Sequence, residues 1–210
     1  MMRILIADDF PLFRLGVREL LSRGLTGART GEAGDFHQML ELLRRKPWDL
    51  LIMDITMPGM TGLAALKQVK QEFPALPVVI LSQHPEEQYA IRMFKAGADA
   101  YITKAMAPEE LVKAIQKVRG GGKYVSSSLG ETLALSVRTN VERPPHETLS
   151  DREYEVLCLF GTGKTVGEIA ESTHLSVTTI STYRSRILEK MRLKTTAELT
   201  RYAIEHRLSL

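Results

Sequence analysis

Five side chains at the ends of short apolar runs, and a sixth within the last run, are of types that fit one chemistry. Asp8 and Asp9 follow "RILIA", Asp54 follows "DLLIM", Ser82 closes "PVVILS", and "AYIT" leads from Tyr101 to Lys104. Taken singly, each has a plainer explanation. An aspartate after a strand usually caps a turn, Lys104 would be a solvated lysine, Ser82 a capping hydroxyl and Tyr101 a packing residue. Together they make a different object. Three converging carboxylates repel one another unless a cation sits among them, and hard oxygen ligands with room for water suit Mg²⁺, with Mn²⁺ as its substitute. In that setting Asp54 can act as a nucleophile on phosphorus while Lys104 and the Ser82 hydroxyl grip the phosphoryl group. Phosphoryl transfer depends mainly on positioning and charge neutralisation, so a carboxylate placed this way can attack a good phosphodonor. Asp99 reads as a turn residue before the last strand, and His84 as a solvent-exposed loop histidine.

Convergence requires a fold that brings strand ends together. Short β-rich apolar runs alternate with segments of helical period: "RILIA" then 11–23, a weak strand near 27–33 then 36–45, "DLLIM" then 62–72, "PVVILS" then 86–95, and "AYIT" then 108–119. Strands apolar throughout, each followed by an amphipathic helix, predict a five-stranded, doubly wound parallel sheet buried on both faces. Ligands of such sheets bind beyond the carboxyl ends of the strands, where Asp8, Asp9, Asp54, Ser82 and Lys104 lie. Pro47, Pro74 and Pro77 flank segment ends, and Pro108 fits the first turn of the last helix.

"ILIADD", "DLLIMDITMPGMTGL", "VVILS", "AGADAYITK" and "APEELVKAI" occur in the order and at the spacing of a response-regulator receiver domain, which residues 1–120 resemble. The resemblance implies a flavodoxin-like fold with Asp54 as phosphoacceptor, Asp9 as a direct metal ligand and Asp8 as a water-mediated one. It further implies a metal-ligating backbone carbonyl from Thr56 and a switch pair in Ser82 and Tyr101. Ala105 stands after the lysine, where many receivers place a proline that helps to aim it.

Beyond residue 120 the pattern changes. Residues 121–147 are rich in glycine, serine and proline and read as a linker with a short helix near 128–137. Residues 148–210 are helical only, with four candidate helices at 150–160, 165–172, 177–191 and 195–207, the first opened by a capping box of Ser150 and Glu153. Ile180, Ile187 and Met191 form a core stripe on the third, leaving Ser181, Thr182, Arg184 and Ser185 off it with hydroxyls and a guanidinium suited to base edges or phosphates. Basic residues cluster over 184–194, with Arg184, Arg186, Lys190, Arg192 and Lys194 against Glu189 alone.

"LSDREYEVLCLFGTGKTVGEIAESTHLSVTTISTYRSRILEKMRLKTTAELTRYA" resembles the LuxR-type helix-turn-helix of NarL/FixJ response regulators. The resemblance implies an all-α four-helix domain with a recognition helix from Val177 to Met191 and a dimer interface on the last helix. Thr179 would touch a phosphate, and the candidate DNA contacts are Lys164, Thr165, Thr178, Thr179, Ser181, Thr182, Arg184, Ser185 and Arg186. Helix capping competes for Thr165. The family commonly has lysine and histidine where Ser181 and Tyr183 stand.

The whole reads as a phosphorylation-controlled transcription regulator: a self-phosphorylating phosphoacceptor, not a turnover enzyme. Its expected partners are a sensor histidine kinase, double-stranded DNA, a second copy when phosphorylated, and RNA polymerase. Two other readings compete. One is a regulator that binds DNA regardless of phosphorylation and has a structural receiver. The other is an aspartyl phosphatase, disfavoured because Thr56 stands where such enzymes place an acid/base aspartate. The 210 residues allow two domains, and 44% apolar with 25% charged residues is ordinary globular usage. A net charge of +3 is too small to argue for polyanion binding without local clustering. Cys158 has no partner cysteine, which excludes an intramolecular disulfide and suggests a buried thiol. Acidic residues arrive too early for a signal peptide and no apolar run reaches membrane-spanning length, which predicts a cytoplasmic protein without a membrane partner.

Overall fold

The computed structural model describes residues 1–57, 60–131, 144–173, 175–206 and 208. The chain divides into two compact units, Met1–Leu135 and Ser136–Leu210. In the first, β1 (Arg3–Ala7), β2 (Arg29–Ala33), β3 (Leu50–Met53), β4 (Val78–Ser82) and β5 (Ala100–Thr103) form a sheet in the order β2-β1-β3-β4-β5. All four pairings are parallel. The helices α1 (Pro11–Gly24), α2 (Phe36–Arg45), α3 (Gly62–Glu72), α4 (Glu86–Lys95) and α5 (Ala107–Arg119) alternate with the strands.

The two-residue period of the strands sorts the core into two layers. Ile4, Ile6, Leu50, Ile52, Val79, Leu81 and Ile102 face α1 and α5, meeting Val17, Leu21, Leu111 and Ile115. Leu5, Leu51, Met53, Val78, Ile80 and Tyr101 face α2, α3 and α4, meeting Phe36, Met39, Leu66 and Met93. Because both faces are covered, β3 and β4 are buried at every position. The more polar β2 lies at the sheet edge, which is why its sequence signal is weak. β1 has β2 on one side and β3 on the other, so the direction in which strands are added reverses there and a crevice opens at the carboxyl ends of β1 and β3.

Two local devices sharpen that crevice. The Asp54 amide donates to the Ala7 carbonyl (2.8 Å) and the Asp8 amide to the Ala33 carbonyl (3.1 Å), locking both loops to the neighbouring strand. Gly62 opens α3 so close to Ile55 that a Cβ would lie 2.4 Å from its Cα, so glycine permits this approach behind Asp54.

After α5 the chain turns back onto the first unit. Tyr124 forms a parallel bridge with Ala100 on β5, Leu129 is buried in the core, and residues 127–131 are helical. The Ser126 and Ser128 hydroxyls both donate to the Glu86 carboxylate at the start of α4. The short helix expected at 128–137 thus begins one residue early, and its remainder lies outside the described residues.

The second unit contains α6 (Asp151–Gly161), α7 (Val166–Thr173), α8 (Val177–Met191) and α9 (Thr196–Glu205). Cys158 is buried in α6. Gly163 takes the left-handed backbone (φ 80°) that ends α6, and Arg192 does the same (φ 56°) after α8. Glu153 accepts from the Ser150 amide (2.7 Å) and from Lys190 on α8 (2.6 Å), so one buried carboxylate caps α6 and ties it to α8. No described helix is long and apolar enough to cross a membrane.

Asp99 anchors the start of β5 by accepting from Lys70 Nζ (2.8 Å) and the Val78 amide (2.9 Å). Burial works against its charge, but these two donors outweigh it and hold the carboxyl below its ordinary value of 3.8. The folded chain therefore keeps this charge where the unfolded chain has already taken up a proton. The contribution is complete above the ordinary value and fades as pH falls through the lower, folded one. Asp99→Asn is expected to cost about 1–2 kcal/mol at pH 7 in urea unfolding, with the difference shrinking below pH ~4.

Candidate functional site

Asp8 and Asp54, each 2% exposed, face one another across the crevice with Asp9 half-buried beside them. Each of the three offers an oxygen within 4.8 Å of the other two. Lys104, delivered by the end of β5, bridges two of them: its Nζ is 2.6 Å from Asp8 Oδ2 and 2.7 Å from Asp54 Oδ2. The remaining contacts are local. The Phe10 amide donates to Asp8 Oδ1 (2.8 Å), the Thr56 amide to Asp54 Oδ1 (3.1 Å), and Arg14 holds the Asp8 backbone carbonyl (2.6 Å).

The electrostatics follow from burial and this pairing. Burial pushes the Asp8 carboxyl above its ordinary value, and the bonds from Lys104 and the Phe10 amide offset only part of that. For Lys104, burial disfavours the charge, yet the hydrogen bonds to Asp54 and Asp8 prevail and raise it. Among the described residues, Asp9 Oδ1 is the buried side-chain oxygen without a hydrogen-bond partner. A hard divalent cation fits this set: it would meet an orphaned acceptor and the two neighbouring acids, and Mg²⁺ would supply charge neutralisation.

Ser82 and Tyr101 are fully buried and share one neighbour. The His84 amide donates to Ser82 Oγ (3.1 Å), while the His84 carbonyl accepts from the Tyr101 hydroxyl (2.9 Å). The two residues identified as a switch pair are therefore joined through the backbone of one residue. The His84 side chain differs from expectation: it is half-buried, with Nε2 3.1 Å from the Thr56 hydroxyl. Its burial, with help from Lys104 and against the pull of Asp54, lowers its pKa below 6.5 and keeps the ring neutral at pH 7. Two aromatic rings also escaped the sequence reading. Lys104 Nζ lies 4.5 Å from the Phe13 ring centre and 5.3 Å from that of Phe10. Their signal was the three-residue spacing at the start of α1, directly after the acidic pair.

In the second unit, Ile180, Ile187 and Met191 are buried as a stripe of α8, and Ile169 and Ala170 of α7 are buried too. The turn between these helices is closed by the Leu175 amide on the Ala170 carbonyl (3.0 Å) and by Ser176, whose hydroxyl caps α8 at the Thr179 amide (3.0 Å). Thr178, Thr182, Ser185 and Arg186 are exposed at helical spacing on one side, with Ser181 half-buried among them. The Thr182 and Ser185 hydroxyls donate to carbonyls four residues back, which leaves their lone pairs outward. The basic cluster is less uniform than its sequence suggests. Arg184 is half-buried with Nε on the Thr196 hydroxyl (2.6 Å), and Lys190 is committed to Glu153. Thr165 exchanges hydrogen bonds with Glu168 at the entrance of α7, the capping role that competed with phosphate binding, beside a half-buried Lys164.

An acidic crevice with an invading lysine on a doubly wound sheet, followed by a helix-turn-helix unit, defines a response regulator with a DNA-binding output. Comparison with known proteins agrees. Residues 4–116 match the response regulator receiver domain, and residues 147–203 match the bacterial regulatory proteins of the luxR family. The response regulator UvrY of Escherichia coli K12 is 32% identical over 208 residues, covering 98% of this chain and 95% of that protein. The response regulator GacA of Pseudomonas aeruginosa is 32% identical over 209 residues, covering 98% and 97%. Among solved structures, RcsB of Salmonella enterica serovar Typhimurium, bound to the rprA promoter with the phosphomimetic BeF₃⁻, aligns with a TM-score of 0.71. It is 27% identical, with 96% of this chain and 98% of that one covered. The chain belongs to the NarL/FixJ family of response regulators.

The doubly shared lysine has a measurable consequence. In metal-free buffer, Lys104→Met leaves two buried carboxylates without their cation and is expected to lower stability by about 3 kcal/mol. Mg²⁺ should restore more stability to this variant than to wild type, because no ammonium competes for Asp8 and Asp54. Urea unfolding with and without Mg²⁺ reads both effects, and equal restoration would argue against competition.

Proposed function

We propose that Asp54 accepts a phosphoryl group from a partner histidine kinase, and that its phosphorylation controls dimerisation and sequence-specific DNA binding by the second unit. The observation that carries this reading is the convergence of Asp8, Asp9 and Asp54 around the unpartnered Asp9 Oδ1, with Lys104 on Asp54. Asp8 and Asp9, with the Thr56 backbone carbonyl and Asp54, would hold Mg²⁺ or Mn²⁺, which neutralises charge on the transferring oxygens. Lys104 and the Ser82 hydroxyl would then bind the phosphoryl oxygens. As Ser82 turns toward that group, the His84 amide loses its acceptor, and the carbonyl of the same residue carries the Tyr101 hydroxyl. Burial of Tyr101 therefore becomes conditional on the state of Asp54. Asp54 is consumed as a reagent in each transfer, which is self-phosphorylation and not enzymatic turnover.

On the output side, α8 is proposed to enter the major groove with Thr178, Ser181, Thr182, Arg184, Ser185 and Arg186, while Lys164, Thr165 and Thr179 approach phosphates. Residues 121–147 would serve as the linker between a receiver of 1–120 and a DNA-binding domain of 148–210, with the first part of that linker folded back onto the receiver, in a protein working in the cytoplasm as a homodimer with RNA polymerase as a further partner. The DNA complexes of RcsB support this reading of the second unit.

Full-length protein treated with acetyl phosphate and Mg²⁺ should gain the mass of one phosphoryl group, and Asp54→Asn should abolish the gain. An unchanged gain would remove Asp54 from this role. If Asp54→Asn also bound DNA as wild type does with and without phosphodonor, control by phosphorylation would fall. Lys164→Ala should weaken DNA binding and reduce the magnitude of the slope of log K against log salt by about 1, as measured in a salt titration.

A further inference from the structure

We propose that Phe10 and Phe13 are positioning residues for Lys104: together they form an aromatic rail that aims its ammonium at Asp54. The proposal rests on the phosphoacceptor reading of Asp54 and names the part of the site that directs the lysine.

Three observations lead there. The turn that carries Lys104 gives its side chain little guidance, because Lys104–Met106 is a single 3₁₀ turn whose Ala105 and Met106 are both exposed. The ammonium nonetheless has a defined place, 2.6 Å and 2.7 Å from its two carboxylates, with the Phe13 and Phe10 rings at 4.5 Å and 5.3 Å. A cation at these distances is attracted to the ring quadrupole, and more strongly where water is scarce, as it is around a lysine side chain only 9% exposed. Finally, packing does not account for Phe10. Its residue is 53% exposed, so its ring gains little from burial, yet its amide bond to Asp8 Oδ1 ties its backbone to the acid that Lys104 pairs with, and its ring lies 5.3 Å from the ammonium.

The rings do a task that the carboxylates cannot. Asp8 and Asp54 attract Lys104 only while they are free to do so. A cation between the acids, or a phosphoryl group on Asp54, changes that attraction. The aromatic faces bear no charge to be neutralised and stay as they were. They keep the ammonium over the crevice and out of bulk water while its anionic partner changes from carboxylate to phosphoryl oxygen.

The test uses the full-length chain. In metal-free protein with ¹³C-labelled lysine, the ε-methylene signal of Lys104, assigned by its loss in Lys104→Met, should lie upfield of the other lysines through the ring currents. Phe10→Leu and Phe13→Leu should each move it part of the way back, and the double variant fully. With acetyl phosphate and saturating Mg²⁺, the double leucine variant should phosphorylate about fivefold more slowly, on the order of one cation–π contact. Phe10→Tyr/Phe13→Tyr, which keeps both rings, should restore the rate. Mg²⁺ affinity by calorimetry should stay at the wild-type value in both, whereas general damage to the site would lower affinity and rate together. An unshifted Lys104 signal in wild type, or a wild-type rate in the double leucine variant, would overturn the proposal. Failure of the wild-type chain itself to phosphorylate would instead sink the reading of Asp54, leaving the NMR result to speak for the rail.

Discussion

Two carboxylates that scarcely touch water share one ammonium, and the architecture of the first unit is arranged around that fact. Asp8 and Asp54 can be buried as a charged pair only because Lys104 lies within hydrogen-bonding distance of both. That arrangement needs three different strands to end at the same level. The parallel order β2-β1-β3-β4-β5 provides this, placing β1 and β3 side by side and β5 two places from β3. The backbone bonds of Asp8 to Ala33 and of Asp54 to Ala7 then fix where each acid leaves its strand. The resulting site holds one positive charge against three acids, a deficit that a divalent ion is suited to meet.

From this charge cluster the path outward runs through the backbone of one residue rather than through a side chain. His84 presents its amide to Ser82 and its carbonyl to Tyr101, so the hydroxyl at the end of β4 and a phenol in the core are bonded to the backbone of one residue, on either side of its Cα. A movement of His84 bears on both bonds. In the second unit the same economy appears at Glu153, which caps α6 and reaches Lys190 on α8, orienting two helices with a single carboxylate.

The sequence made the repeating features legible. The apolar runs of β1, β3, β4 and β5 are continuous because both faces are buried, and α2, α3, α4 and α8 begin and end where their periodicity and caps indicate. The acidic residues and Lys104 were readable because their positions follow from strand ends, which a topology rule brings together. What escaped depends on side-chain direction across large sequence separations. Phe10 and Phe13 look like ordinary apolar residues at a helix start until Lys104, some ninety residues later, is seen against their rings. His84 looked solvent-exposed because nothing nearby in sequence reveals Thr56 as its neighbour. The five basic residues of 184–194 formed a cluster in sequence, but Arg184 and Lys190 face Thr196 and Glu153, partners supplied by other helices.

The return of the chain after α5 bears on where the first unit ends as a physical object. A receiver cut after Arg119 would lose Leu129 from its core and the Ser126 and Ser128 hydroxyls from Glu86. It would also lose the Tyr124 bridge that partly covers β5, exposing the edge of a parallel sheet whose unpaired backbone groups readily accept another strand. An isolated fragment of that length would leave more of this edge open to association than the intact chain does. Its oligomeric state would then report the position of the cut and not the state of Asp54.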